Sequence, residues 1–188
     1  MQKSRSVAGL VERLSHSTYG DGYKDGLKPA QWAALRYFSN ANRFSKTASA
    51  FARYHGITLG AASQTIGALV KKQLLNRTRD KVDRRQYNLC LTSKADKLKP
   101  ADPILALVDA AFELDEGERA TTTAALEKML MNLLREKGGA YFGHCNNCRY
   151  LQCIEAKSRQ KQSFRCANFE QELTSEDLKK ICINFGRV

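Results

Sequence analysis

The sequence has no long apolar run. None of its apolar stretches approaches the ~18 residues that a transmembrane helix needs, and the mean hydropathy is −0.48. The N-terminus begins with basic residues, but the apolar segment of a secretory signal does not follow. We therefore expect a cytoplasmic protein that does not enter a membrane. The hydrophobic fraction of 43% suffices for a packed core and argues against global disorder.

Catalytic motifs are missing as well. The sequence shows no paired carboxylates, and no nucleophile lies near a base in a recognisable motif. We therefore expect that the protein is not an enzyme.

Acidic residues are scarce in the first half of the chain. Residues 1–100 contain 19 Lys and Arg against 6 Asp and Glu, residues 101–140 contain 4 against 8, and residues 141–188 contain 8 against 5. A generally basic protein would spread its net charge of +12 more evenly. The concentration of positive charge in residues 1–100 indicates a surface that binds a polyanion.

The segment from Ile57 to Thr92 combines a helix, a basic loop and a strand. Thr58 is a predicted N-cap, and apolar residues at helical spacing follow to about Leu75. A basic, turn-rich segment and a short strand over residues 86–91 come next. A predicted helix over residues 44–54, with Ser45 as its expected cap, precedes the tight turn at residues 55–57. This order predicts a helix-turn-helix followed by a β-wing, which binds double-stranded DNA.

The candidate DNA contacts fall into three groups. Base contacts from the first turns of the second helix are expected for Thr58, Ser63, Gln64 and Thr65. Phosphate contacts are expected for Lys71, Lys72 and Arg77. The wing carries Arg79, Lys81, Arg84 and Arg85, which suit the negative potential of a narrow minor groove.

The remaining periodic segments predict further helices. They cover residues 7–17, 27–39, 104–114 and 120–136, with a proline-marked hinge over residues 98–103. The single tryptophan, Trp32, lies in the densest apolar stretch, so we assign it to the core rather than to base stacking.

The stretch QWAALRYFS, the helix-turn-helix and the wing together resemble the winged-helix regulators of the multiple-antibiotic-resistance-regulator (MarR) family. The matching positions are Ser63, Gln64, Leu69, Leu74, Arg77, Asp83, Arg84, Arg85, Leu91 and Thr92. The resemblance covers about residues 5–135, and the glycine-rich loop of residues 20–26 and the C-terminus depart from it. It implies a homodimer, joined through its N- and C-terminal helices, on a pseudo-palindromic operator.

The expected fold class is therefore mainly α with a small β-wing, an α+β winged helix-turn-helix. We divide the chain into an N-terminal helix and loop (1–26, dimerisation), the DNA-binding domain (27–99), dimerisation helices (100–139) and a cysteine-rich extension (140–188).

Five of the six cysteines lie between Cys145 and Cys182. Without an export signal, such a cluster indicates metal or redox chemistry rather than disulfides. Residues 145–148 form a Cys-x-x-Cys pair. Cys182 is expected on the apolar face of a last helix that Thr174 caps. Cys90 is interpreted as a small residue of the wing strand.

Some MarR-like regulators carry a similar extension, and that resemblance implies Cys145, Cys148, Cys166 and Cys182 as metal ligands, with Cys153 in reserve. The metal stays open between zinc and iron–sulfur. A structural zinc site usually uses two knuckles, and only one pair is present. Nearby aromatic residues and two arginines favour a [4Fe–4S] cluster. His144 is a candidate hydrogen-bond partner of the centre rather than a ligand.

Three functions follow from these patterns. The first is a dimeric DNA-binding regulator, most simply a repressor, whose [4Fe–4S] centre senses redox state, oxygen or iron. The second is a MarR-like regulator with a structural zinc site and a small aromatic effector between its dimerisation helices and winged domain. The third, a cluster-bearing DNA-repair enzyme, has little support because catalytic motifs are missing.

Overall fold

Helices dominate the described part of the chain, and all of its strands are short. The computed structural model describes residues 2–19, 24–79, 87–136, 141–154 and 163–187. The helices are α1 (Gln2–Tyr19), α2 (Pro29–Asn40), α3 (Ala48–His55), α4 (Leu59–Lys71), α5 (Ser93–Leu98), α6 (Ile104–Phe112), α7 (Glu116–Glu136) and α8 (Ser175–Leu178). The strands are β1 (Leu75–Arg79), β2 (Tyr87–Leu91), β3 (Gly143–His144), β4 (Leu151–Ile154), β5 (Ser163–Cys166), β6 (Gln171–Leu173) and β7 (Ile181–Cys182). The predicted fold class is confirmed.

The main core forms around α2, whose sequence is apolar on most of its faces. Trp32 is 2% exposed, as its assignment to the core predicted, and its indole Nε1 donates to the carbonyl of Lys24 at 3.3 Å. Tyr37 packs against Phe51 of α3 with ring centroids 5.4 Å apart. Leu69 of α4 is also fully buried, so α2, α3 and α4 share one core. Burial of each such side chain stabilises the fold by roughly 1.5–3 kcal/mol.

The start of α3 differs from the expectation. Helix α3 begins at Ala48, and its N-cap is Thr47, whose hydroxyl accepts the N–H of Ala50 at 3.2 Å. The prediction that Ser45 caps this helix is wrong. Ser45 is buried, and its hydroxyl donates instead to the side-chain oxygen of Asn42 at 2.8 Å.

Helices α1, α6 and α7 lie outside this core. They have no buried residue among those described, and α1 contacts α6. Asp102 connects them to the winged domain, since its carboxylate accepts from the guanidinium of Arg36 at 2.6 Å, and Arg36 also donates to the hydroxyl of Tyr19. None of the described helices is long and apolar enough to cross a membrane.

Helix α7 begins four residues earlier than its apolar stripe predicted. The carboxylate of Asp115 accepts the N–H of Glu118 at 2.8 Å, and the carboxylate of Glu118 accepts the N–H of Asp115 at 3.0 Å. This reciprocal pair is a capping box, a local signal that the sequence reading overlooked.

Short β-strands are the main regular structure in the described part of the cysteine-rich extension. Strand β3 pairs with β7, and β4, β5 and β6 form an antiparallel sheet. Thr174 caps α8 in a box with Asp177, as predicted. The helix ends at Leu178, however, so the expectation that Cys182 belongs to it is wrong. Residues 181–182 form β7, because Ile181 pairs with His144 and also with Ala41 of the winged domain.

Candidate DNA-binding surface and cysteine centre

The turn between α3 and α4 sets the geometry of the helix-turn-helix. Gly56 ends α3 in the left-handed region at φ 62°, where a side chain would introduce strain. Thr58 then caps α4, and its hydroxyl accepts the N–H of Ala61 at 3.2 Å, as the sequence predicted. The hydroxyl of this residue is therefore already engaged in starting the helix.

Helix α4 separates buried from exposed residues along its length. Ala62, Ile66 and Leu69 pack into the core. On the outside, Ser63 and Gln64 are exposed and Thr65 is half-buried. Polar side chains thus line the outward side of the helix that follows the turn, which is the position from which a recognition helix reads base edges.

The wing is anchored by apolar residues and exposes its arginines. Strands β1 and β2 pair antiparallel, with Arg77 opposite the buried Leu89 and Arg79 opposite Tyr87. The guanidinium carbon of Arg77 lies 4.9 Å from the centre of the Tyr87 ring, and that of Arg79 lies 5.9 Å away. This cation–π packing holds both exposed arginines against one aromatic ring. Lys81, Arg84 and Arg85 lie outside the described residues.

The two lysines at the end of α4 differ in their surroundings. Lys71 is exposed and has the access that a phosphate contact requires. Lys72, which the sequence also placed on phosphate, donates its amine to the carbonyl of Gly26 at 2.6 Å. Lys94 in turn donates to the carbonyl of Lys72 at 3.0 Å. Lys72 therefore connects α4 to the loop before α2, and Lys71 is the better candidate for DNA.

Four cysteines from three parts of the extension line one small cavity. They are Cys145 and Cys148 after β3, Cys166 at the end of β5 and Cys182 at the end of β7. Cys145, Cys166 and Cys182 are buried. These are the four cysteines that the resemblance implied as ligands. Cys153, on β4, and Cys90, on β2, are exposed and are not part of the cavity wall.

The surroundings of Cys145 and Cys182 favour the protonated thiol. Burial raises the pKa of Cys145 to about 12, and the nearby Cys182, Cys148 and Cys166 add to the effect. Burial also raises the pKa of Cys182, while the side chain of Asn42 and the backbone of Asn184 partly offset it. Bringing four thiolates together here therefore requires a positive charge between them, which a bound metal provides.

Backbone N–H groups approach the sulfur atoms from the C-terminal segment. Gly186 donates its N–H to the sulfur of Cys148 at 3.4 Å. A Cβ at Gly186 would lie 2.6 Å from the Tyr150 ring, so glycine is needed for this close approach. N–H···S contacts of this kind are typical of sulfur atoms that carry negative charge.

The donor set fits a thiolate-ligated metal centre, although no three His, Cys, Asp or Glu side chains among the described residues lie close enough together to hold a single metal ion as they stand. Four zinc-bound thiolates lie about 2.3 Å from one ion. In a cluster, several iron and sulfide atoms separate the ligands. A set of four cysteines is a donor set that either a zinc ion or an iron–sulfur cluster can use.

Residues of the winged domain complete the cavity wall. Asn42 and Phe44, from the turn between α2 and α3, line it together with the four cysteines. The Phe44 ring stacks on that of Phe169 at 4.0 Å and 7°. The sequence reading missed both residues because they lie about a hundred residues from the cysteines, and no local pattern links the two segments.

Comparison with known proteins agrees with this architecture. The model of the MarR family matches residues 25–86, which span α2, the helix-turn-helix and most of the wing. The chain has the MarR winged-helix fold. Comparison with curated proteins gives no significant match.

Solved structures cover the MarR-like part of the chain and leave a remainder. A MarR transcriptional regulator from Methanosarcina mazei Go1 is 24% identical, with a TM-score of 0.59 over 72% of this chain and 99% of that one. The MepR–DNA complex of S. aureus is 25% identical, with a TM-score of 0.56 over 68% and 97%. A MarR/EmrR family regulator from Acinetobacter sp. ADP1 is 20% identical, with a TM-score of 0.56 over 71% and 96%. The alignments span almost the full length of each of these proteins, whereas more than a quarter of this chain has no counterpart in any one of them.

Proposed function

We propose that this protein is a dimeric, DNA-binding transcriptional repressor of the cytoplasm whose C-terminal cysteine centre holds a [4Fe–4S] cluster. The cluster reports redox state, oxygen or iron to the DNA-binding domain. One observation carries the proposal. The cavity that four cysteines line is closed by the same turn that leads into the helix-turn-helix.

DNA binding is supported by the exposed polar side of α4, the arginines over Tyr87 and the charge of residues 1–100. MepR, of similar fold, was solved with DNA. A two-fold symmetric dimer presents two copies of α4, so the operator is expected to be pseudo-palindromic. We expect Gln64 to contact a base, and we expect Lys71, Arg77 and Arg79 to make backbone or minor-groove contacts.

Gln64→Ala and Lys71→Ala should weaken DNA binding in different ways. Loss of a bidentate base contact costs about 1–3 kcal/mol on the preferred operator and leaves binding to unrelated DNA nearly unchanged. Loss of a phosphate contact weakens binding to both DNAs and lowers the salt slope by about 1 per contact. Titrations of a selected operator and a scrambled duplex at several salt concentrations measure both effects. Lys128→Ala, on α7, is the control. If Gln64→Ala lost the same affinity for the operator and for the scrambled duplex, Gln64 would not be a base-recognising residue.

Replacing both Arg84 and Arg85 by alanine tests the wing. If these arginines enter the minor groove, operator affinity should fall, and the salt slope should drop by about 1 for each arginine removed from the DNA in each protomer. The same titrations measure the change, with Arg135→Ala on α7 as a charge-matched control. An unchanged slope in the double variant would exclude the wing tip from the DNA interface.

A second candidate function keeps the regulator but makes the metal a structural zinc. A cavity of about 90 Å³ between α2, β2 and α5, whose walls include Trp32, Arg36 and Lys99, supports it. Arg36 is paired with Asp102, which also lines the cavity, and Lys99 is paired with Asp96, so an aromatic acid or phenolate would bind by replacing these carboxylates. Such an effector should change the operator affinity of the zinc-loaded wild type, whereas mild oxidation that leaves the zinc bound should not, because Zn²⁺ has no redox chemistry. Under the cluster reading, oxidation alone changes the affinity.

A further inference from the structure

The turn between α2 and α3 is bonded to the strand that carries Cys182. The N–H of Asn42 donates to the carbonyl of Ile181 at 2.9 Å, and the N–H of Ile183 donates to the hydroxyl oxygen of Ser45 at 2.9 Å. The Tyr37 hydroxyl donates to the carbonyl of Ser45 at 2.8 Å. Asn42 and Ser45 are both 0% exposed. The bonds to Ile181 and Ile183 cross from the winged domain to the extension on both sides of Cys182, and the bond from Tyr37 holds Ser45 within the winged domain.

The hydrogen bonds also orient the Asn42 amide. Because the Ser45 oxygen accepts from Ile183, its own proton is directed to Oδ1 of Asn42, 2.8 Å away. The Nδ2 group is therefore on the other side of the amide. Among the described residues it is the buried side-chain nitrogen that has no hydrogen-bond partner. A buried donor in this condition is costly unless an acceptor is supplied.

The position of this donor indicates the acceptor. Asn42 lines the same cavity as the four cysteines, and its backbone N–H is bonded to Ile181, the residue directly before Cys182. A sulfur bound to metal carries negative charge and accepts hydrogen bonds more strongly than a protonated thiol. The strength of a contact from Asn42 to Cys182 therefore depends on whether the centre is loaded.

We propose that Asn42 donates a hydrogen bond from Nδ2 to the Cys182 sulfur of the loaded centre. Ser45, which is hydrogen-bonded to both Asn42 and Ile183, connects this contact to the turn before α3. Asn42 is thus a positioning residue that couples the cysteine centre to the helix-turn-helix. The inference rests on the proposed function, because it requires the four cysteines to hold a metal centre. Loss of the centre weakens the contact, leaves Nδ2 without a partner and changes the conformation that the turn favours.

Asn42→Leu tests the donor, because leucine has a similar size and no polar atoms. The full-length chain is reconstituted anaerobically with ferrous iron and sulfide and, in parallel, loaded with zinc. We expect the variant to retain as much metal as the wild type. Its cluster potential should be lower, since hydrogen bonds to the sulfurs raise the potential. The wild-type ratio of operator affinities between loaded and metal-free protein, expected at about 5–150, should fall below about 3. Asn40→Ala, an exposed asparagine two residues away, should behave as the wild type.

A second variant keeps the test decisive if Asn42→Leu does not fold. Ser45→Ala keeps the Asn42 amide but removes both the acceptor of the Ile183 N–H and the hydroxyl that orients the amide. The affinity ratio should therefore fall, and the potential should fall no further than in Asn42→Leu. Hydrogen exchange at residues 41–47 should respond to metal loading in the wild type and not in Ser45→Ala. The inference would be overturned if folded Asn42→Leu kept both the wild-type cluster potential and the wild-type affinity ratio, or if Ser45→Ala kept the wild-type affinity ratio. Neither result would contradict the proposal that the four cysteines hold a metal centre. A wild-type chain that retains neither iron nor zinc would overturn both proposals.

Discussion

Replacement of Cys145 by serine should abolish retention of the metal centre and release the extension from the winged domain. Cys145 is 6% exposed in the cavity wall, and it packs with Cys166, Leu173 and Leu178 in a very small apolar cluster. So small a core contributes little stability, and structural metal binding supplies about 10–16 kcal/mol in zinc-finger peptides. We therefore expect metal content to fall below about a tenth of the wild-type value. Metal and sulfide analysis measures it, and proteolysis of residues 141–187 reports the release.

Two other cysteines provide matched controls for this experiment. Cys90→Ser and Cys153→Ser change exposed thiols that are not part of the cavity wall, so both variants should retain the full metal content. Loss of metal in Cys153→Ser with retention in Cys145→Ser would show that the reserve cysteine is the ligand and would contradict the assigned set. The wild-type preparation also identifies the metal. Brown, iron- and sulfide-containing protein supports the cluster, whereas about one zinc per chain in every preparation supports the alternative.

Local signals in the sequence predicted the DNA-binding end of the molecule well. The cap at Thr58, the periodicity through Leu69 and the alternating wing strand depend on neighbours within a few residues. Their structures followed because short-range chemistry decides them. The exception was the N-cap of α3, for which the sequence offers two equivalent candidates. Ser45 and Thr47 are both good caps, but the Ser45 hydroxyl is engaged by Asn42, three residues before it, and by the distant Ile183.

The extension was less predictable because contacts distant in sequence organise it. Leu178, Ile181 and Cys182 have helical spacing, but pairing with His144 and Ala41 converts the second half of that segment to strand. The cysteine pattern itself was local and visible. Asn42 lines the cavity only because the fold brings residue 42 close to residue 182. No pattern in a single sequence predicts this contact.

Charging the apolar face of α7 should convert the protein to a monomer. Leu126, Leu130 and Leu133 are 44%, 56% and 52% exposed, and no described residue of α7 is buried. Helix α1 likewise exposes its apolar positions, among them Leu10 at 55%. Apolar residues exposed in such continuous rows mark an interface. Under the proposed function a second copy of the chain is the partner, because a pseudo-palindromic operator is bound by a two-fold symmetric dimer.

We expect Leu126→Glu together with Leu130→Glu to prevent this association. Each buried leucine contributes roughly 1.5–3 kcal/mol, and the symmetric interface contains each substitution twice. Burying unpaired carboxylates adds a further cost. Sedimentation should show a dimer for the wild type and a monomer for the variant. Operator affinity should fall by at least about a hundredfold, because one protomer contacts only one half-site. Glu127→Ala, a polar change on the same helix, should leave both measurements unchanged. A variant that remains dimeric and binds the operator normally would place the dimer interface elsewhere, because the substituted face would then be solvent-exposed in the assembly.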